Sequence, residues 1–165
     1  MNKVVFLDID GVLNSNLWNE SHQREISDGT LIDMEKIRLL SKLIQSTNSK
    51  IILHSGWKYW FDSDLNPLRR EAENLRSLLE KERLIIASTT PDHATEEIRR
   101  SKKFSLIKAD EILAWLSVHK DVEKWVVIDD LDLHNTEIEL HQVRTDQNVG
   151  LTLEDVRKAE EMLLN

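Results

Sequence analysis

The sequence predicts an α/β fold, a three-layer sandwich in which helices cover both faces of a mostly parallel central sheet. Three observations predict it. Apolar runs at residues 3–7, 51–53 and 125–128 lack polar alternation, as strands buried on both faces do. Between the runs, apolar residues recur at helical spacing, so strand and helix alternate along the chain. Each run ends in polar residues, and in such sheets sites lie beyond the carboxyl ends of the strands.

Taken in order, residues 3–7 form the first strand and deliver Asp8 and Asp10 at its end. From Leu31, the residues Met34, Ile37, Leu40, Leu43 and Ile44 alternate with Glu35, Lys36, Arg38 and Lys42 in an amphipathic helical pattern. The second strand, 51–53, runs into His54, Ser55 and Gly56. Asn66 before Pro67 reads as an N-cap with proline in the first turn. It would open a charged helix to about Arg83, with Leu68, Ala72, Leu75, Leu78 and Leu79 inward. Residues 84–87 make a third strand, 96–103 a short helix, and 109–119 a helix with Ile112, Leu113, Trp115 and Leu116 on its apolar face. The next strand, 125–128, delivers Asp129 and Asp130, and 141–144 is an edge strand. Thr152 with Asp155 resembles a capping box for a last helix whose inward residues are Val156, Ala159, Met162 and Leu163.

A chain of 165 residues, 40% hydrophobic and 32% charged, suits one domain over 1–165 with one real core. Four Gly and two Pro leave no long linker, and no internal repeat is present. The net charge of -8 repels polyanions at long range. No broad basic nucleic-acid-binding surface is expected, and any nucleic-acid contact must be local. With no cysteine, disulfides, thiolate nucleophiles and Cys-based zinc sites are excluded. No stretch approaches transmembrane length and none reads as a signal peptide, so no membrane partner and a cytoplasmic location are expected.

The chemistry concentrates at the strand ends. Asp8 and Asp10 are separated by one residue, and Gly11 lets the backbone turn sharply enough to present both carboxylates beside a ligand. A magnesium ion needs hard oxygen ligands, and Asp8 with Asp129 or Asp130 offers a partial shell. A carboxylate such as Asp8 can attack phosphorus to form an aspartyl-phosphate, while a neighbouring acid such as Asp10 protonates the leaving oxygen and then activates water. The charge spread over a transferring phosphoryl group calls for fixed donors, which Ser55, the Gly56 amide and Lys108 would supply.

With these residues in view, the sequence resembles the haloacid dehalogenase-like (HAD) phosphohydrolase superfamily. Asp8-x-Asp10-Gly11-Val12-Leu13 resembles its motif I, Ser55 motif II, Lys108 motif III and Asp129-Asp130 motif IV. Within it, Leu53-His54-Ser55-Gly56-Trp57-Lys58, Lys108-x-x-Glu111-Ile112-x-x-Trp115-Leu116 and Gly150-Leu151-Thr152 are similar to the phosphatase domains of Swiss Army Knife RNA repair proteins. Ile107-Lys108-x-x-Glu111-Ile112 followed by Ile128-Asp129-Asp130 is also similar to the phosphatase half of polynucleotide kinase/phosphatases. Lys58 and Lys108 stand where the RNA-repair family commonly has Arg.

The resemblance implies a HAD-like Rossmannoid fold and a magnesium-dependent phosphomonoesterase. Asp8 would be its nucleophile and Asp10 its acid and base. Ser55, Gly56 and Lys108 would bind phosphate, and Asp8, the Asp10 backbone carbonyl, Asp129 and Asp130 would hold Mg2+. Residues 14–30, and again those after Trp57, leave room for a flap or one helix but not for a large inserted domain, hence a minimal cap and an open site. Such a site suits a phosphorylated polynucleotide end, a phosphoprotein or a small phosphate ester.

Blander readings stand beside these. Asp8 to Gly11 would be a plain turn, Asp129 or Asp130 a helix cap, and Ser55 a loop cap, with Lys102 and Lys103 competing for the role of Lys108. Asp132 reads as a turn residue. The histidines lack metal-site spacing, and only His54 lies close to the motifs. Trp57 and Trp60 suit packing under the site better than base stacking, and Trp115 and Trp125 suit the core. Two other functions compete: a non-catalytic module that binds phosphorylated partners, and a phosphoaspartate receiver domain.

Overall fold

The computed structural model describes residues 3–165. Its centre is a five-stranded, all-parallel sheet of β1 (Lys3–Leu7), β2 (Lys50–Leu53), β3 (Ile86–Thr89), β4 (Lys124–Asp129) and β5 (Gln142–Arg144), in the order β3-β2-β1-β4-β5. This 3-2-1-4-5 order reverses direction between β1 and β4, which opens a crevice at their carboxyl ends. Phosphoaspartate receivers have the order 2-1-3-4-5, so the topology removes the receiver reading.

The apolar runs have no polar alternation because both faces are covered. Val5, Leu7, Ile51, Leu53, Val126 and Ile128 face a core shared with α3 (Met34–Thr47), α4 (Arg70–Lys81) and α8 (Leu153–Leu164). Val4, Phe6, Ile52 and Val127 face the opposite core, beneath α6 (Ser105–Ser117) and α7 (Thr136–Glu139), with Ile112, Trp115 and Ile138. Alternate residues of one strand thus serve different layers. Trp115 is fully in the core, whereas Trp125 is half-buried at its margin.

Several elements begin elsewhere than the sequence predicts. The helix expected from Asn66 starts at Arg70, because Asn66 is engaged by Asp62 and Pro67 pairs with Phe61 in an isolated antiparallel bridge. The third strand starts at Ile86 rather than 84, because the left-handed Arg83 (φ 59°) and the bond from Leu84 N–H to the Leu79 carbonyl finish the preceding helix. α6 begins at Ser105, four residues before the expected 109, and so includes Lys108. The short helix expected over 96–103 is α5 (Glu96–Ser101), capped by the Thr95 side chain. The Thr152–Asp155 capping box is present in both directions and starts α8.

Residues 14–30 hold two short helices, α1 (Asn16–Ser21) and α2 (Gln23–Ser27), and no larger insertion. Among the described residues, no helix is long and apolar enough to cross a membrane.

Candidate active site

Register and pleat bring the site together. Leu7 pairs with Leu53 on one side and Ile128 on the other, so Asp8, His54 and Asp129 come next at one level of three adjacent strands. They continue the alternation of Phe6, Ile52 and Val127, and so turn toward α6. Lys108, in the first turn of α6, meets them: its Nζ lies 2.8 Å from Asp129 Oδ2 and 3.4 Å from Asp8 Oδ2. His54 Nε2 lies 3.5 Å from the same Asp129 oxygen. The other Asp129 oxygen accepts the Leu131 N–H at 2.9 Å.

Asp130 stands against Gly11. The glycine has φ +82°, and a Cβ there would lie 2.5 Å from Asp130 Cγ, so both conformation and space require glycine. One carboxylate oxygen from each of Asp8, Asp129 and Asp130 lies within 4.8 Å of the others.

Three carboxylates share one lysine, and their acidities diverge accordingly. Burial, reinforced by Asp129, pushes the Asp8 carboxyl well above the usual range. Burial and Asp129 likewise push Asp130 up to about 6. Burial opposes ionisation of Asp129 too, but Lys108 outweighs it and holds that carboxyl below its usual range. Burial works against the Lys108 charge, yet Asp8 and Asp129 keep it more firmly protonated than an ordinary lysine. The His54 ring is pushed down to about 3, chiefly by burial. A cluster of hard oxygens with more negative charge than Lys108 can balance fits a divalent cation such as magnesium.

A cavity of about 430 Å³ opens over this cluster. Asp8, Asp10, Ser55, Gly56, Lys108 and Asp130 line its floor, whereas Asp129 is fully buried behind them. Asp10 is fixed from two sides: Asn14 Nδ2 donates to one carboxylate oxygen at 3.0 Å and Trp57 Nε1 to the other at 3.1 Å. Asn14 Oδ1 in turn accepts the Gly11 N–H at 3.0 Å, closing the loop on itself. Ser55 Oγ accepts the Trp57 N–H and starts a 3-10 turn over Gly56–Trp60. No atom lies within 4 Å of where a Gly56 Cβ would stand, so its backbone borders open space.

The back of the motif I loop rests on the chain after β5. Thr145 Oγ1 donates to the Gly11 carbonyl at 2.8 Å, and the Leu151 N–H bonds the Val12 carbonyl. Gly150 passes so close that a Cβ would lie 2.9 Å from the Asn14 carbonyl oxygen.

The structure therefore gathers all seven residues read from the sequence: Asp8, Asp10, Ser55, Gly56, Lys108, Asp129 and Asp130. Of the rivals to Lys108, Lys102 also lines the cavity, as do Phe104, Asn16 and Asn19, whereas it is Lys108 that pairs with Asp8 and Asp129. Asp132 is an exposed turn residue whose carboxylate accepts the His134 N–H. Trp57 packs on Trp60 at 4.7 Å as expected, but its bond to Asp10 was not expected. Trp60 carries Arg69 on its ring at 4.2 Å, and Trp18 of α1 stacks at 4.4 Å on His22, the residue that ends that helix. Lys58 points away from the cavity, to Glu111 at 2.9 Å, Thr90 at 3.2 Å and the Pro91 carbonyl at 2.9 Å.

Fold and site together define a Rossmann-like α/β protein with a carboxylate cluster at the switch point of its sheet. The chain belongs to the family described as the HAD domain in Swiss Army Knife RNA repair proteins, which it matches over residues 4–156. No curated protein and no solved structure matches it significantly. Membership of the HAD family points, at that level, to hydrolysis of a phosphorylated substrate.

Proposed function

We propose that this protein is a magnesium-dependent phosphomonoesterase that works through an aspartyl-phosphate on Asp8. The observation that carries the reading is the convergence of Asp8, Asp129 and Asp130 within 4.8 Å, with Lys108 against them, at an open cavity that Asp8, Asp130 and Lys108 line and Asp129 backs. Asp8, the Asp10 backbone carbonyl, Asp129 and Asp130 would hold the magnesium. When bound, it would offset the charge of the crowded carboxylates and of the phosphoryl oxygens.

The chain's own residues perform the transfer. Ser55 Oγ–H, the Gly56 N–H and the Lys108 ammonium bind the phosphoryl oxygens and present phosphorus to Asp8. A carboxylate oxygen of Asp8 forms the new P–O bond as the ester P–O bond breaks, and protonated Asp10 gives its proton to the leaving oxygen. Asp10, now a carboxylate, takes a proton from water. That water's oxygen attacks phosphorus, and Asp8 is released with inorganic phosphate. Asn14 and Trp57 keep the Asp10 carboxyl aimed during both proton transfers.

The RNA-repair setting of the family makes a phosphorylated polynucleotide end the first substrate to assay. The cavity exceeds a phosphate group in size. Phe104 and Lys102, which also line it, would provide an aromatic face and a cation for the group beyond the ester.

The test is turnover of an aryl phosphate and of 3′- and 5′-phosphorylated oligonucleotides with magnesium, chelator or the Asp8→Asn variant. Asp8→Asn should lower kcat by at least about 10⁴-fold and chelation should abolish turnover. Turnover that survives either change overturns the mechanism. Tight phospho-ligand binding without any turnover would point instead to a binding module.

A further inference from the structure

The described residues contain one buried side chain whose polar atoms are all orphaned. His54 is 1% exposed, and neither Nδ1 nor Nε2 makes a hydrogen bond of normal geometry, although the ring faces the Ile128 backbone as well as Asp129. Two unpaired nitrogens in a sealed site cost stability, and an apolar residue of similar size would avoid that cost. From β2, His54 extends past the level of β1 toward the β4 residue Asp129.

The arrangement around Asp129 shows what such a residue can do. Asp129 Oδ2 receives Lys108 at 2.8 Å, while its Oδ1 is taken by the Leu131 N–H. Lys108 also faces the cavity and is 3.4 Å from Asp8. If Lys108 turns toward a phosphoryl group, Asp129 Oδ2 loses its donor in a site with no access to water. His54 Nε2, at 3.5 Å, is the next donor in line and needs to move only a few tenths of an ångström to make the bond.

We infer that His54 is a positioning residue: its Nε2–H holds the Asp129 carboxylate in place for the bound cation and frees Lys108 for the substrate. The inference rests on the proposed metal-dependent phosphatase reading and adds to it a residue that never touches substrate. Donors behind a metal-ligating carboxylate fix its orientation, and their loss typically weakens metal binding by about 10- to 100-fold.

The test compares three variants by calorimetric titration of magnesium into the phosphate-free protein, with Tm measured alongside. His54→Leu removes both nitrogens, His54→Gln places an N–H near the Nε2 position, and His54→Asn places one near Nδ1. His54→Leu should bind magnesium about tenfold more weakly while its Tm is unchanged or higher. His54→Gln should return affinity to within about threefold of the wild type, and His54→Asn should resemble His54→Leu.

Wild-type affinity in His54→Leu, or equal behaviour of the Gln and Asn variants, would overturn the positioning role and leave the phosphatase reading intact. If His54→Leu does not fold, the Gln and Asn pair decides by itself. A wild-type protein that binds no magnesium would overturn the phosphatase reading and this role with it.

Discussion

Lys58 and Lys108 are both buried lysines, yet their surroundings differ in one respect that matters. Lys58 closes a balanced pair: Glu111 neutralises it, Thr90 and the Pro91 carbonyl take its remaining protons, and Glu111 also accepts the His93 N–H. Lys108 faces Asp8 and Asp129 directly with Asp130 beside them, so negative charge remains in excess. A balanced buried pair has no capacity left for a ligand and serves to pin the loop after β3 to α6. An unbalanced cluster invites a cation and a movable lysine.

The comparison is sharpest when each lysine is replaced by Met, which keeps most of the stem packing. Lys108→Met should lower kcat/KM by about 10²- to 10³-fold, through loss of a donor to the phosphoryl oxygens. Its stability should fall as well, because Asp129 is left buried without its donor, but saturating magnesium should restore much of it. Lys58→Met leaves Glu111 buried and unpaired, and should cost about 3 kcal/mol while kcat of the folded protein changes only a few-fold. Replacing Lys58 and Glu111 together with Met and Leu should recover much of that stability. Urea unfolding and initial rates, measured on the same preparations, check all three. A loss in Lys108→Met that magnesium leaves unrepaired, or a loss in Lys58→Met that magnesium repairs, would break the distinction.

Magnesium provides the next largest effect. At about 100 times its dissociation constant it should stabilise the folded protein by about 2.7 kcal/mol. For a chain of this size that is a Tm increase of about 5–10 °C. Gly11→Ala should largely remove the increase, because the new Cβ would press on the Asp130 carboxylate and force a positive φ on alanine. Lys58→Met should retain it. A magnesium shift of equal size in Gly11→Ala would show that Asp130 is not part of the cation site.

Much of this arrangement was legible in the sequence because it is local. Buried parallel strands leave uninterrupted apolar runs, and the residues just past them, Asp8, Ser55 and Asp129, fall at the crevice by topology alone. Lys108 was legible only through the order of motifs, since the helix that carries it starts four residues before the expected position. Nothing local marks the pairings between distant segments. Trp57 reaches Asp10 across 47 residues, Thr145 reaches Gly11 across 134, and Lys58 has no periodic signal to distinguish it from a surface lysine. His54 was noticed for its place in the chain, but its approach to Asp129 follows from strand order and pleat. The false N-cap at Asn66 has the same origin, because Asp62 claims Asn66 in a turn that propensity alone does not reveal.

The smallest predicted effect concerns one of those nonlocal contacts. Trp57 is 3% exposed and packs beside Trp60, so a purely packing role would make Trp57→Phe a modest loss of stability with little change in chemistry. Its indole N–H, however, holds one oxygen of Asp10, the proposed proton donor to the leaving group. A hydrogen bond to a charged group is worth about 1.5 kcal/mol, so its loss should lower kcat by about tenfold. The leaving group distinguishes the two roles. A nitrophenolate departs without help, whereas an alkoxide needs the proton, so Trp57→Phe should impair an alkyl phosphate markedly more than a nitrophenyl phosphate. Equal losses on both esters would return Trp57 to packing alone, and leave Asn14 as the residue that aims Asp10.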